Sequence, residues 1–418
     1  MLTKAVRIYG AHDLRLETFE LPPIQEDEIL AKVVSDSLCM SSYKAAELGT
    51  AHKRVPNDVA QNPTILGHEF CGEIIEVGAK WRSQFSPGDK FSIQPALNYK
   101  GSQDAPGYSF RYIGGDATYV VIPQEVMTQQ CLLKYDSDAF FYGSLAEPLS
   151  CIIGTFHSFY HTRLGEYVHD MGVVEGGNMA ILAGAGPMGL GAIDYAIHCS
   201  RRPRLLVVTD IDDKRLARAQ CIYPAEEAQR YGVELHYFNT SDPASLEQIM
   251  ALTGGKGFND VLVMAPVPSV IEMGDKLLCF DGCLSFFAGP TDTGFSAKLN
   301  FYSVHYSYTH ALGTSGGNTD DMREALEMIS KGLLNPASMI THVGGLDAVP
   351  DATNNLAKIP GGKKLIYTHI SMPLTAIDDL AQSDDPVLLE LAKITSANGG
   401  FWCAEAEKYL LAHGKPIE

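Results

Sequence analysis

The stretch ILGHEFCGEIIEVG (65–78) sets an imidazole beside a carboxylate, His68 and Glu69, ahead of a β-branched run that stops at Gly78. A packed core needs neither group there. Upstream, SLCMSSYK places Cys39 in the turn after the apolar run AKVVSD, and downstream SLAEPLSC places Glu147 before Pro148. A thiolate, an imidazole and one or two carboxylates form a tetrahedral set that zinc accepts. Ligands drawn from distant segments suit a catalytic ion with an exchangeable position, because structural zinc sites usually cluster cysteines. Spacing alone leaves a plainer account open. Cys39 would then be a small buried hydrophobe, His68-Glu69 a capped turn and Glu147 an acid in the first turn of a helix.

A second constellation is Gly184, Gly186 and Gly189 in GAGPMG, with Pro187 and Met188 between them. It follows the apolar run MAIL and opens a helical pattern, the context in which such a glycine motif cradles a dinucleotide. The first glycine permits the tight turn, the second lets the backbone approach a pyrophosphate, and the third lets helix pack on strand. The helix N-terminus offers unpaired N–H groups to the phosphates. Asp210 ends the next strand, where a carboxylate binds the adenine ribose hydroxyls and repels a 2′-phosphate, so NAD(H) is favoured. Arg215 lies nearby and keeps NADP(H) open. The alternative is an unliganded α/β turn with Asp210 as a helix cap.

These groups need two kinds of scaffold. Up to about residue 150, KVVSDS, FCGEIIEVG, GDKFSIQP and DATYVVIP are short β-branched runs between Gly, Pro and Asp, which suits an antiparallel or barrel-like β domain. Beyond it, strands and helices alternate, as in a parallel sheet of βαβ units. DDKRLARAQCI reads as a helix opened by Asp212 or Asp213; in HYFNTSDPASLEQIMALTGG, Asp242 is the expected N-cap, with Pro243 first in the helix and Gly254-Gly255 as its stop. The final segment, 371–418, contains two helical patterns split by Asn398-Gly399-Gly400, and its stripe of Leu388, Leu391, Ile394, Trp402 and Leu410 must bury against something.

At 418 residues, two domains are the default. A net charge of −18 argues against nucleic acid or an anionic membrane as partner. The N-terminus MLTKAVRIYG lacks the apolar run and cleavage site of a signal peptide. Nine cysteines, an odd number without a CxxC pair, fit reduced thiols and a cytoplasmic protein.

Gly-His-Glu before a strand, a cysteine some thirty residues earlier, a central GxGPMG and a closing GTSGGNTDDM together resemble the zinc-dependent medium-chain dehydrogenase/reductase family. That resemblance implies an α/β architecture: a GroES-like β domain (1–151 and 314–370) around a Rossmann dinucleotide-binding domain (152–313), with 371–418 as a C-terminal helical extension. It implies Cys39, His68, Glu69 and Glu147 around one catalytic zinc, Glu147 directly or through water, and Ser41 as the hydroxyl that relays a proton. Longer phrases, SLAEPLSCIIG and GGLDAVPDATNNLAKIPGGKKLIY among them, are similar to a narrower group. They imply reduction of the C2 ketone of L-sorbose 1-phosphate to D-glucitol 6-phosphate, a small-molecule substrate, and a homo-oligomer, dimer or tetramer. Three departures from the family pattern stand out, the least of them Trp81 where the signature usually ends in a small or aliphatic residue. The lobe at 97–115 lacks the four cysteines of a second zinc, and Ser42 occupies the place of an aspartate that orients the zinc-bound histidine.

A sugar phosphate needs a cationic grip inside a repelling overall field. Lys44, His52, Lys53 and Arg54 are the nearest candidates, with Arg111 beside Tyr108 and Tyr112 as a second, although each basic residue has a plain reading as solvated surface. His305 and Tyr306 could line the cleft near the nicotinamide or pack in the core. Other readings are a related polyol or sugar dehydrogenase and, in another class, an NAD(H)-binding sensor without turnover, which would have no use for a zinc site.

Overall fold

The computed structural model describes residues 1–418. The chain divides into two compact units, Met1–Glu147 with Ala325–Ser330 and Met339–Glu418, and Pro148–Glu324 with Lys331–Ser338.

The first unit is organised on the strand Ile29–Leu38, which is buried along nearly its whole length. It pairs antiparallel with Cys71–Val77, Tyr119–Ile122 and Lys363–Tyr367 within an eight-stranded sheet. Alternate residues Ile29, Ala31 and Val33 face a core that includes Phe70, Ile74, Phe91 and Ile93, as the two-residue period of a strand requires. Register then decides where the chemistry falls. Leu38 lies opposite Lys364, and Ser35 opposite Cys71. The exit of the central strand therefore adjoins the entries of both neighbours. Cys39, Lys363 and the His68-Glu69 turn meet at one end of the sheet.

The tail belongs to this unit. Its helices Pro386–Ala397 and Ala404–His413 bury Leu388, Leu391 and Leu410, with Ile394 partly covered, and Trp402 is buried in the segment between them. Polar stitches fix it. Trp402 Nε1 donates to Tyr367 Oη (2.7 Å), Tyr367 donates to the buried Glu407 (2.8 Å), and Glu407 accepts from the backbone N–H of Phe140 and Phe141 (2.5 and 2.8 Å).

The second unit carries six parallel strands in the spatial order Glu234–Asn239, Leu205–Asp210, Asn178–Leu182, Phe258–Val263, Leu278–Phe286, His310–Gly313. This is the doubly wound order of dinucleotide-binding sheets, reversing direction beside the strand that leads into the glycine turn. Asp212 caps the helix Asp213–Ile222 through the N–H groups of Lys214 and Arg215. The expected start at Asp242 is corrected. The helix runs Ser245–Leu252, and Asp242 instead caps the preceding turn through Ala244 N (2.9 Å), because a local turn satisfies its carboxylate before the helix begins. Gly254 and Gly255, both at positive φ, end that helix.

In the same unit His157 bonds Asp321 (2.8 Å) and Glu324 (3.3 Å), and Tyr195 donates to Glu324 (2.7 Å). Hydrogen bonds to Asp321 and Glu324 lift the imidazole to about 9. A histidine raised in the folded state contributes stability that is complete below its unfolded value near 6.5 and is lost as pH climbs through 9. His157→Gln should therefore cost about 1 kcal/mol at pH 6, after discounting for its half-exposed ring, and almost nothing at pH 10. Urea unfolding at the two pH values measures this, and a cost that does not shrink with pH contradicts it.

Candidate metal and cofactor sites

One ligand atom from each of Cys39, His68 and Glu69 lies within 4.8 Å of the other two. Each is placed by backbone. Cys39 is the N-cap of the helix Met40–Leu48, in extended conformation. Glu69 is pinned on both sides, its N–H donating to Asp36 Oδ1 (3.1 Å) and its C=O accepting from Ser37 N (3.1 Å). Gly67 precedes the pair at φ +87°, and a Cβ there would lie 2.6 Å from both Asp116 N and Asp36 Oδ2, so only glycine permits this turn.

The imidazole of His68 is held by three hydroxyls. Ser41 Oγ lies 3.2 Å from Nε2, Ser42 Oγ 3.2 Å from Nδ1, and Tyr108 Oη 3.0 Å from Nδ1. Ser41 also donates to Cys39 Sγ (3.0 Å), which makes it the bridge between thiol and ring. The missing aspartate is thus replaced by Ser42 and a fully buried tyrosine from the cysteine-free lobe. Such partners hold the ring in place.

Lys363 is the residue that spacing did not reveal. Its buried ammonium donates to both oxygens of Glu69, at 2.5 and 2.6 Å. Burial works to raise the Glu69 carboxyl, but Lys363 and then His68 outweigh it and hold the group below the usual range. Burial keeps His68 neutral, down at about 4, and pushes the Cys39 thiol up to about 12, with Glu69 adding to the rise. A neutral imidazole and an ionised carboxylate are in ligand-ready form, and the thiol needs only a cation to ionise. The donor set therefore fits zinc. Behind it, Asp36 and Asp116 are fully buried, and burial lifts Asp36 well above the carboxylate range and Asp116 to about 7. Burial biases both carboxyls toward their neutral forms. Nothing in the spacing of 36 and 116 announces that pair.

Glu147, buried in the first turn of the helix Ala146–Ser158, is not one of the three mutually close donors, although its charge is felt at Cys39 and Lys363. Three of the four basic candidates, His52, Lys53 and Arg54, share a cavity wall, and Lys44 does not line it. Burial, then Arg54, Lys53 and Lys44, depress His52 to about 4. Arg111 is exposed, and Tyr108 turns toward His68. His305 and Tyr306 lie exposed on the helix Phe301–Tyr306, which removes the core-packing option.

In the second unit the glycine turn is built as its sequence requires. Gly184 N donates to Thr209 O (2.7 Å), and a Cβ on Gly189 would lie 2.0 Å from Gly184 O. A Cβ on Gly186 would meet nothing within 4 Å, so open space adjoins the start of the helix Pro187–His198, where Pro187, which has no N–H to leave unpaired, takes the first position. Met188 follows it in the first turn. Asp210 is buried at the strand end and accepts from Ala185, Ile211 and Asp212 N–H groups. It both braces the turn and presents a carboxylate beside it. Arg215 is exposed and faces Asp212 at 3.8 Å. The turn and helix N-terminus fit a dinucleotide.

Comparison with known proteins agrees. Residues 25–131 match the alcohol dehydrogenase GroES-like domain, and residues 187–331 the zinc-binding dehydrogenase domain. The chain is 51% identical to an L-sorbose 1-phosphate reductase of Klebsiella pneumoniae, over 99% of this chain and 98% of that one. It is also 51% identical to a mannitol-1-phosphate 5-dehydrogenase of Aliivibrio fischeri, over 98% and 97%. The crystal structure of 2R,3R-butanediol dehydrogenase from Bacillus subtilis has the same fold, with a TM-score of 0.68 at 20% identity over 87% of this chain and 99% of that one. With its donor cluster and glycine turn in place, this chain belongs to the zinc-dependent medium-chain dehydrogenase/reductase family of alcohol and polyol dehydrogenases.

Proposed function

We propose that this protein reduces the C2 ketone of L-sorbose 1-phosphate to D-glucitol 6-phosphate with NADH, using one zinc per chain held by Cys39, His68 and Glu69, with Glu147 facing it. The observation that carries the chemistry is the Cys39–His68–Glu69 cluster, with the Ser41 hydroxyl set between thiol and imidazole. The similarity to a sugar-phosphate reductase over nearly the whole of both chains supports the substrate class. When bound, zinc polarises the carbonyl and nicotinamide supplies the hydride. The chain's own part is to hold the donors rigid and to deliver a proton. Ser41 Oγ gives its proton to the oxygen that gains negative charge, and solvent restores it. Asp210 supports NAD(H) over NADP(H), and the cysteine-free lobe supports a single ion. No helix is long and apolar enough to cross a membrane. A cytoplasmic homo-oligomer, dimer or tetramer, completes the proposal.

A second reading is favoured by the mannitol-1-phosphate relative. Oxidation of that polyol at C5 yields D-fructose 6-phosphate, whose phosphate is remote from the ketone. NADH oxidation with L-sorbose 1-phosphate, D-fructose 6-phosphate and the two free sugars separates the cases. L-Sorbose 1-phosphate should exceed L-sorbose by about 100-fold or more in kcat/KM, as a charge-assisted phosphate contact provides. Preference for D-fructose 6-phosphate selects the second reading, and indifference to phosphate retires both.

A further inference from the structure

Beside the donor cluster, in the same unit, lies a cavity of about 480 Å³ whose walls include Thr50, His52, Lys53, Arg54, Ser109 and, at an exposed position, Asp104. Its cations are not consumed by the fold. Arg54 Nε is buried and has no hydrogen-bond partner, a costly state for a guanidinium unless a ligand completes it. Its backbone is fixed meanwhile: Ser109 Oγ donates to Arg54 O (2.7 Å) and accepts from Ala105 N (3.1 Å). The backbone is thus held, and the bonding of the head group left incomplete.

Tyr108 joins this cavity to the metal donors. The guanidinium carbon of Arg54 sits 5.4 Å from its ring centroid, and the His52 ring stacks on it at 5.7 Å with 15° between planes. At the far end, the Tyr108 hydroxyl bonds His68. One aromatic ring therefore separates an unpaired cation from a zinc-ligating imidazole. His52 is also oriented. Its Nδ1 accepts from Arg54 N at 3.3 Å, so in the neutral ring the proton sits on Nε2, a donor for an anion.

We propose that Arg54, with His52 and Lys53, forms the subsite that binds the substrate's phosphate. This rests on the sugar-phosphate reading above and deepens it. Arg54 offers the fork that suits phosphate geometry, and Lys53 adds charge from an exposed position. Asp104, on the exposed part of the wall, opposes the anion, and solvent screens it. The chemistry recognised is a phosphate monoester, which the sugar or the nucleotide could bring, and the subsite is assigned to the sugar because it lies on the metal-donor unit.

The test measures KM for L-sorbose 1-phosphate, inhibition by inorganic phosphate, and calorimetric binding of inorganic phosphate to the zinc-loaded enzyme, in wild type, Arg54→Gln and Lys53→Gln. Arg54→Gln should raise KM and weaken phosphate binding by about 10- to 100-fold, with the loss falling on KM rather than kcat. Lys53→Gln should do the same by about 3- to 10-fold. Phosphate should compete with the sugar phosphate and not with NADH. Thermal unfolding monitors folding, and if Arg54→Gln fails to fold, the exposed Lys53 still decides. Unchanged KM and phosphate binding in the folded variants, in an enzyme that still prefers the phosphorylated sugar, would overturn the subsite while leaving the proposed function standing. Competition against NADH would also overturn it. A wild-type enzyme indifferent to phosphate would instead sink the function.

Discussion

Cys39→Ser should lower ketone reduction by about 1,000-fold or more and release the bound zinc during gel filtration. Loss of a supporting partner alone typically costs 10–100-fold in metal affinity or activity, and Cys39 is the only sulfur in the three-donor cluster. The change is nearly isosteric at a helix N-cap, a position where serine is favoured, so the fold should survive it. NADH binding by fluorescence should persist, because the glycine turn lies in the other unit. Reduction at the wild-type rate by the serine variant would remove Cys39 from the ligand set.

Lys363→Met should be the most destabilising single change at the site. It strips the ammonium from a buried carboxylate and leaves Glu69 charged and unpaired, which costs on the order of 3–5 kcal/mol. Two further results follow from the same electrostatics. Adding Glu69→Gln should recover much of the loss, because the uncompensated charge is gone. Loading the Lys363→Met variant with zinc should recover part of it, because a divalent ion replaces the missing counter-charge. Urea unfolding of the metal-free and zinc-loaded forms measures both. A variant as stable as wild type would mean that Glu69 does not depend on Lys363.

What the sequence disclosed follows from what is local in it. The turn at Gly184, Gly186 and Gly189 and the acid at Asp210 were legible because strand, turn and helix succeed one another along the chain. The helix from Asp213 was legible for the same reason, its cap being the residue before it. Cys39 and His68-Glu69 stood out as donor types at strand ends, but their convergence needed the resemblance, since spacing alone admits a buried thiol and a capped turn. Lys363 could not be found this way. It lies 294 residues from its partner and reaches it only through the register of Lys363–Tyr367 on Ile29–Leu38. Tyr108 was read as a companion of Arg111, because a loop without periodicity does not reveal which way a side chain turns. The tail's stripe showed that it had to be covered, but not that Glu407 would bind the backbone ahead of the helix that carries Glu147.

The account depends above all on a mixed sulfur, nitrogen and oxygen environment around one zinc. X-ray absorption at the zinc edge of the purified protein measures that directly. We expect one zinc per chain, with a single sulfur at about 2.3 Å and the remaining donors, nitrogen and oxygen, at about 2.0–2.2 Å. A zinc with no sulfur neighbour or with several, or a fully active protein without zinc, would contradict it.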